Sequence, residues 1–168
     1  TYGLVRPGTD TLVVLDDSIV RGNTMKNAIL PMLDRLGPKR IIVASSAPPI
    51  CYPDCYGIDM STLGELVAFK ALVNLAGEAA IRRADDVRKV YARHSQDELS
   101  AEIARLITPP GMKARVDVVF QTIDDLHACC PDSAGDWYFT GNYPTAGGVR
   151  VLKEALSNYL ARRDGRSY

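Results

Sequence analysis

Two adjacent carboxylates and the polar loop after them are the residues of this sequence best suited to chemistry. Asp16 and Asp17 follow the apolar run TLVVL. The next loop contains Ser18, Gly22 and Thr24 and leads into a segment of helical periodicity. A helix begins with unpaired backbone N–H groups and a partial positive charge, so this loop can bind a phosphate. Gly22 lets the backbone approach closely or adopt a positive φ angle, and the two hydroxyls add hydrogen-bond donors.

The two carboxylates must serve a different group, because they repel a phosphate. Sugar hydroxyls and hard cations such as Mg²⁺ are natural partners, and a charge-assisted hydrogen bond contributes about 1.5–3 kcal/mol. An acidic pair beside a phosphate loop therefore describes a site for a ribose 5-phosphate. Two other roles stay open for Asp16 and Asp17: capping of the helix, or binding of Mg²⁺ for a phosphorylation as in response regulators.

The elements around this loop predict a parallel α/β sheet. Residues 11–15 are a continuous apolar run, typical of a strand that is buried on both faces near the middle of a sheet. From residue 24 onward, apolar residues recur every three or four positions, which predicts a helix that Pro31 kinks and Gly37 ends. Residues 40–46 form a second strand, and the crossover rule makes the two strands parallel.

The rest of the chain predicts one long loop, several helices and one more strand. Residues 47–61 contain three prolines and form a loop at the carboxyl end of the second strand, where α/β sheets have their ligand crevices. The other predicted elements are helices over 63–84, 87–93 and 97–106, a strand over 116–120, a helix over 123–130, a turn-rich segment over 131–148 and a helix over 149–162.

The predicted fold class is therefore α/β, with a Rossmann-like parallel sheet. Residues 1–65 would form the core that carries the loop. Residues 66–168 would form a helical and strand C-terminal extension that packs on the same core, so the chain would be one globular unit.

Composition excludes several classes of function. The 168 residues contain no apolar run near the roughly 18 residues that a membrane span requires. Because 20 basic residues balance 20 acidic ones, there is no positive field to attract nucleic acid. The four cysteines lack C-x-x-C spacing and there is no signal-peptide pattern, which predicts free thiols in the cytoplasm. His94 and His127 have no partner acid at a useful spacing, which predicts surface or packing roles.

Four strings in the same order resemble one family over about the whole chain. LVVLDDSIVRGNT is similar to the phosphoribosyl pyrophosphate (PRPP) signature of type I phosphoribosyltransferases, and DDSIVRG resembles the form in amidophosphoribosyltransferases. SSAPPICYPDCYGIDM, VVFQTIDDL and FTGNYPT resemble that family's proline-rich segment, its next strand and helix, and its C-terminal string. The resemblance implies a partial type I phosphoribosyltransferase fold. It also implies an enzyme that transfers glutamine-derived ammonia to C1 of PRPP, giving phosphoribosylamine and pyrophosphate, the first step of purine synthesis.

By this resemblance, nine consecutive residues bind PRPP. Asp16 and Asp17 would bind the ribose hydroxyls and Mg²⁺, residues 18–24 would bind the 5-phosphate, and Asp59 would lie near the pocket. The implied substrate-binding residues are Asp16, Asp17, Ser18, Ile19, Val20, Arg21, Gly22, Asn23 and Thr24. No catalytic side chain is expected within this chain. Asn23 stands where the family commonly has Thr, a change that binding by the backbone tolerates.

The departures from the family pattern carry further expectations. Some members bind an iron–sulfur cluster through cysteines, but Asp54 takes one such position and AGDWY precedes Phe139, so no cluster is expected. The family's glutaminase domain and the first half of its transferase domain would precede Thr1, which predicts a fragment that is inactive by itself.

The resemblance also implies partners and leaves alternatives. The expected partners are PRPP, glutamine-derived ammonia, the N-terminal glutaminase domain of the parent chain, and further copies in a homo-oligomer. One alternative is a non-catalytic, regulatory PRPP-binding module. Another is a transferase with a nucleobase acceptor, against which the YGID and FTGNYPT matches count.

Overall fold

A three-stranded parallel sheet organises the computed structural model, which describes residues 3–58, 60–133 and 135–163. The strands lie side by side in chain order: β1 (Thr11–Asp16), β2 (Arg40–Ser45) and β3 (Arg115–Phe120). The register pairs Val14 with Val43 and Val43 with Val118, so the three carboxyl ends meet at one end of the sheet. This arrangement confirms the predicted α/β class and the predicted parallel strands.

Helices fill the connections and the C-terminal part. They are α1 (Leu30–Asp34), α2 (Val67–Ala76), α3 (Ala84–Tyr91), α4 (Gln96–Ile107), α5 (Ile123–Cys129), α6 (Trp137–Thr140) and α7 (Ala146–Leu160). The segment 47–61 has no regular structure in its described residues, as expected from its prolines. No helix of the described ranges is long and apolar enough to cross a bilayer.

The helix after β1 differs from a regular α-helix. A π-helical segment, Met25–Ile29, runs directly into α1, and the Leu30 N–H donates to the Met25 carbonyl five residues earlier. Pro31 follows and has no N–H to donate to the carbonyl four residues before it. The wider π turn thus lies where the predicted helix meets its proline.

Two predictions about the elements are wrong. The helix predicted over 63–84 is interrupted, because Leu66 is extended and Gly77 has a φ of 80°, which ends α2. Short 3₁₀ turns replace its two ends. The prediction that β1 is buried on both faces near the middle of the sheet is also wrong for the described residues, where β1 is an edge strand with alternating exposure.

The exposure of β1 reflects the two different faces of the sheet. On one face, Ile41 and Val43 are fully buried, and the described helices pack against them. On the opposite face, Val13, Leu15 and Val119 are 66%, 76% and 54% exposed. A continuous apolar run indicates burial on both faces only where helices cover both. The domain boundary expected at residue 65 stays a prediction.

Candidate functional site

The loop after β1 and the first helical turn surround one cavity of about 330 Å³. The cavity is lined by Asp16, Ser18, Ile19, Val20, Arg21, Gly22, Asn23, Thr24 and Met25. Apart from Met25, these are eight of the nine residues expected to bind PRPP, and the ninth, Asp17, lies beside them in the chain. The structure therefore brings the expected site residues together at the carboxyl end of a strand, although their role as ligands stays a prediction.

Gly22 is required for this shape on two independent grounds. Its φ of +74° lies in the left-handed region, which side chains with a Cβ rarely adopt. A Cβ placed on Gly22 would also stand only 2.5 Å from Cγ2 of Ile107. The sequence predicts the first reason, whereas the second depends on the packing of α4 beneath the loop.

Contacts from distant segments hold the loop in place. The Val67 N–H donates to the Val20 carbonyl at 2.8 Å, and Arg21 Nε lies 2.7 Å from a Glu65 carboxylate oxygen. On the other side, Lys26 Nζ donates to the carbonyl of Leu106 at 3.0 Å. The loop is thus formed within this chain, and the ion pair with Glu65 offsets part of the Arg21 charge.

The two carboxylates are partly engaged by the backbone. Asp16 Oδ1 accepts from the Asp17 N–H at 3.1 Å, and Asp17 Oδ1 accepts from the Ser18 N–H at 2.7 Å. The second oxygen of each carboxylate has no hydrogen bond to any described residue. Asp16 is half-buried and Asp17 exposed, so these oxygens remain accessible to sugar hydroxyls or a cation. Within the described residues neither carboxylate caps the helix, since each accepts only from the N–H of the next residue.

A Mg²⁺ ion at this place would have few protein ligands. Within the described ranges, no group of three or more His, Cys, Asp or Glu side chains is arranged to hold a metal. Two carboxylates fit an ion that keeps several waters and binds substrate phosphates, as Mg²⁺ prefers. The donor set of Asp16 and Asp17 is therefore compatible with Mg²⁺ that arrives with PRPP.

Beyond the cavity, a buried carboxylate organises the proline-rich loop. Asp54 is fully buried, and its Oδ2 accepts from the N–H groups of Tyr56 and Ile58 at 2.8 and 2.7 Å. Its Oδ1 accepts from the Tyr138 hydroxyl at 2.7 Å, and burial together with this hydrogen bond raises the pKa of Tyr138. In the sequence, Asp54 stands out only because it takes the position of a cysteine that binds the cluster in some relatives. The local signal was an Asp whose carboxylate can bind the N–H two residues on.

Three further points concern Asp59, the iron–sulfur cluster and Cys51. Asp59 lies outside the described residues. The absence of an iron–sulfur cluster stays a prediction. Cys51 is fully buried, and burial raises the pKa of its thiol, which is typical of a cysteine that packs as a small hydrophobic residue.

Both histidines have acidic neighbours, so the expectation that they lack a partner acid is wrong. His127 Nε2 lies 3.2 Å from a carboxylate oxygen of Asp136, and His94 Nδ1 lies 3.8 Å from one of Glu98. The first pair joins α5 to the segment before α6, so it depends on tertiary structure. His127 is exposed, in agreement with a surface role.

The fold and the cavity together define an α/β protein with a small, polar-lined cavity at the carboxyl end of a strand. Sequence comparison with known proteins defines the class more closely. No protein-family model matches the chain. The amidophosphoribosyltransferase of Saccharomyces cerevisiae is 31% identical over 150 residues, covering 85% of this chain and 23% of the relative. That of Mycobacterium tuberculosis is 31% identical over 153 residues, covering 88% and 24%. That of Pasteurella multocida is 50% identical over 58 residues, covering 34% and 11%.

Over most of its length, this chain is therefore related in sequence to amidophosphoribosyltransferases, which confirms the resemblance seen in its motifs. A solved structure of glutamine PRPP amidotransferase from B. subtilis, complexed with ADP and GMP, is 28% identical with a TM-score of 0.46. It covers 85% of this chain and 25% of that chain. The chain spans a quarter or less of the length of the relatives that it matches.

Proposed function

We propose that this chain supplies the PRPP-binding part of a glutamine-dependent amidophosphoribosyltransferase that acts in purine synthesis in the cytoplasm. In this reaction, glutamine-derived ammonia forms a bond to C1 of PRPP, while the bond between C1 and the pyrophosphate oxygen breaks. The products are phosphoribosylamine and pyrophosphate. The relatives carry the name of this activity, and the glutaminase domain and the oligomer of the whole enzyme are part of the proposal.

The cavity of about 330 Å³ at the carboxyl end of β1 is the observation that carries this proposal. Its backbone and hydroxyl donors fit the 5-phosphate, since the loop leads into the amino end of a helix. The second oxygen of Asp16 and of Asp17 accepts no hydrogen bond from a described residue, which supports a role for both carboxylates as acceptors from the two ribose hydroxyls. When bound with PRPP, Mg²⁺ would stabilise the negative charge that develops on the departing pyrophosphate.

Positioning is the main contribution expected from these residues. A transfer between two bound groups needs alignment, which can lower a barrier by roughly 7–11 kcal/mol. Among the described residues, the cavity lining contains no histidine that could move a proton. The isolated chain is therefore expected to bind PRPP weakly and to catalyse nothing by itself.

Nuclear magnetic resonance on the isolated chain tests the site, because amide shifts detect weak binding. PRPP with Mg²⁺ is expected to shift the amides of residues 18–24. The double variant Asp16→Asn, Asp17→Asn should weaken binding by about tenfold or more, the equivalent of about 1.4 kcal/mol. Asp132→Asn, an exposed acid in a turn, is the matched control and should leave binding unchanged. Unaltered PRPP affinity in the double variant would remove the proposal.

The regulatory alternative is kept because the loop is fully formed within this chain. A PRPP-binding module without catalysis should bind PRPP tightly in calorimetry, with a Kd near or below about 1 μM. A site completed by further polypeptide should bind far more weakly until that polypeptide is present. Tight binding by the isolated chain would favour the module over the enzyme.

A further inference from the structure

The outer edge of β3 carries backbone groups that no other strand pairs. The N–H groups of Arg115 and Gln121 donate towards β2, at 3.2 and 3.1 Å. Backbone groups alternate in direction along a strand, so the N–H and C=O groups of Val116 and Val118 point away from β2. In the part of the chain that the structure describes, no strand lies beyond β3.

The free stretch of this edge is bounded at both ends. Just before β3, the Ala114 N–H donates to Asp34 Oδ1 at 2.8 Å. At the end of β3, Gln96 Nε2 donates to the Phe120 carbonyl at 2.8 Å. The edge therefore offers its backbone groups over the middle of β3, a length that suits a short segment of chain.

A groove of about 870 Å³ lies between this edge and α4. Its α4 wall contains the small residues Ser100, Ala101 and Ala104, beside the stripe of α4 that enters the core. Its other wall is residues 115–119 of β3. Because the α4 side chains here are small, they leave the space next to the strand edge open.

The two ends of the groove differ in charge. At the amino end of β3, Arg40 Nε and Arg115 Nη2 lie 2.6 and 2.9 Å from carboxylate oxygens of Asp117. Two guanidinium groups share this carboxylate, so positive charge remains there. At the opposite end, Asp97 follows Gln96 and lines the groove without an ion pair to a described residue. A ligand that is acidic at the first end and basic at the second complements both.

We propose that this groove binds a short extended peptide segment of a separate protein, which pairs with β3 as a further strand. A polypeptide backbone supplies N–H and C=O groups at the spacing that the free edge of β3 requires. Side chains on one side of the segment contact the small residues of α4, and an acidic side chain on the other side lies near Arg115. This inference is independent of the proposed function.

Panning of a phage library of random heptapeptides tests the proposal without assuming a partner. The bait is the isolated chain, and the same library is panned on Ala101→Trp, whose indole ring fills the groove. Peptides selected on the wild type should carry an acidic residue towards one end and a basic residue towards the other. Their affinity for Ala101→Trp should be lower by about tenfold or more.

Two further variants show whether the groove is responsible. Ala92→Trp is the matched control, because Ala92 is also exposed but lies at the end of α3, outside the groove. It should leave the affinity of the selected peptides unchanged. Asp97→Lys should change the preferred residue at its end of the peptide from basic to acidic. Circular dichroism verifies that each variant is folded.

Amide hydrogen exchange and backbone methylation report the pairing itself. A bound peptide should slow exchange of the Val116 and Val118 amides by about tenfold or more. Only alternate N–H groups of a paired strand face its neighbour. Of two synthetic forms of the peptide, N-methylated at odd or at even positions, one should therefore lose binding and the other keep it.

The outcomes decide the proposal. Protection of Val116 and Val118 that is lost in Ala101→Trp and kept in Ala92→Trp supports it. The proposal is overturned if no peptide distinguishes the wild type from Ala101→Trp, if the protected amides lie elsewhere, or if both N-methylated forms bind equally. Light scattering that shows self-association of the wild type but not of Ala101→Trp also overturns it, because a second copy would then occupy the groove.

Discussion

The two faces of one sheet carry similar apolar residues in opposite surroundings. Ile41 and Val43 are fully buried, whereas Leu15 and Val13 on the other face are exposed to 76% and 66%. Composition does not distinguish the faces, because β-branched and aliphatic residues occupy both. The crossover direction does, since it places all helices of a run of sequential parallel strands on one side. Burial in this protein is thus decided by topology more than by hydrophobicity.

The largest expected effect is the difference in stability between a truncation on the buried face of the sheet and one on the exposed face. Ile41→Ala should lower the free energy of unfolding of the isolated chain by about 2–5 kcal/mol, because it removes buried surface and leaves a cavity. Leu15→Ala should change it by at most about 0.5 kcal/mol. Chemical denaturation measures both. A similar loss of stability at the two positions would mean that the face of the sheet with Val13 and Leu15 is already covered in the isolated chain.

The next prediction concerns the point where the buried core supports the cavity. Gly22→Ala should destabilise the chain by about 1–3 kcal/mol, because the φ of +74° and the side chain of Ile107 both oppose a Cβ. Measured in an Ile107→Ala background, the cost of Gly22→Ala should fall only by the part due to this contact, because the strained φ remains.

Gly147→Ala is the control for this change. Gly147 lies in the first turn of α7, where a Cβ would meet only Oγ1 of Thr145 at 3.7 Å. It should be neutral or should stabilise the helix by up to about 1 kcal/mol. Denaturation midpoints give the comparison, and equal costs for Gly22→Ala and Gly147→Ala would contradict the argument.

The smallest expected effect on stability lies at the polar, amino-terminal end of the exposed face of the sheet. Asp117 lies in register with Ile42, and its carboxylate is 2.6 Å from Arg40 Nε and 2.9 Å from Arg115 Nη2. Burial alone would raise the pKa of Asp117, but hydrogen bonds from the two guanidinium groups lower it below 3.8. Asp117 therefore contributes stability above its ordinary pKa, and this contribution is lost as the pH falls through the lowered value.

Asp117→Asn should make the free energy of unfolding less dependent on pH in the acid range. Because the ion pairs are partly exposed, the difference should be below about 1 kcal/mol. Denaturation of wild type and variant at a series of pH values below about 4 measures it. Asp132→Asn should follow the wild type, and an Asp117→Asn curve parallel to the wild type would show that the ion pairs contribute nothing.

Much of the fold and most of the candidate site were predictable because their signals are local. The loop 18–24 follows from turn and helix-start chemistry. The N-cap of α4 is Ser95, whose hydroxyl accepts from the Glu98 N–H in a capping box. The parallel strands follow from their apolar runs and the length of their connections. Such features need only neighbouring residues, so the sequence by itself determined the α/β class, the order of elements and the position of the cavity.

Only the tertiary structure decided which apolar face is exposed and which polar groups meet. The hydrogen bond between Asp54 and Tyr138 joins residues 84 positions apart. Likewise, the side chain of Ile107 packs against Gly22, although α4 follows β2 in the chain and Gly22 precedes it. Local patterns carry no information on such pairs, because the contacts exist only after distant segments have packed. The exposure of Val13, Leu15 and Val119 has the same origin. The strand order places the described helices on the other face of the sheet, so these apolar side chains remain exposed.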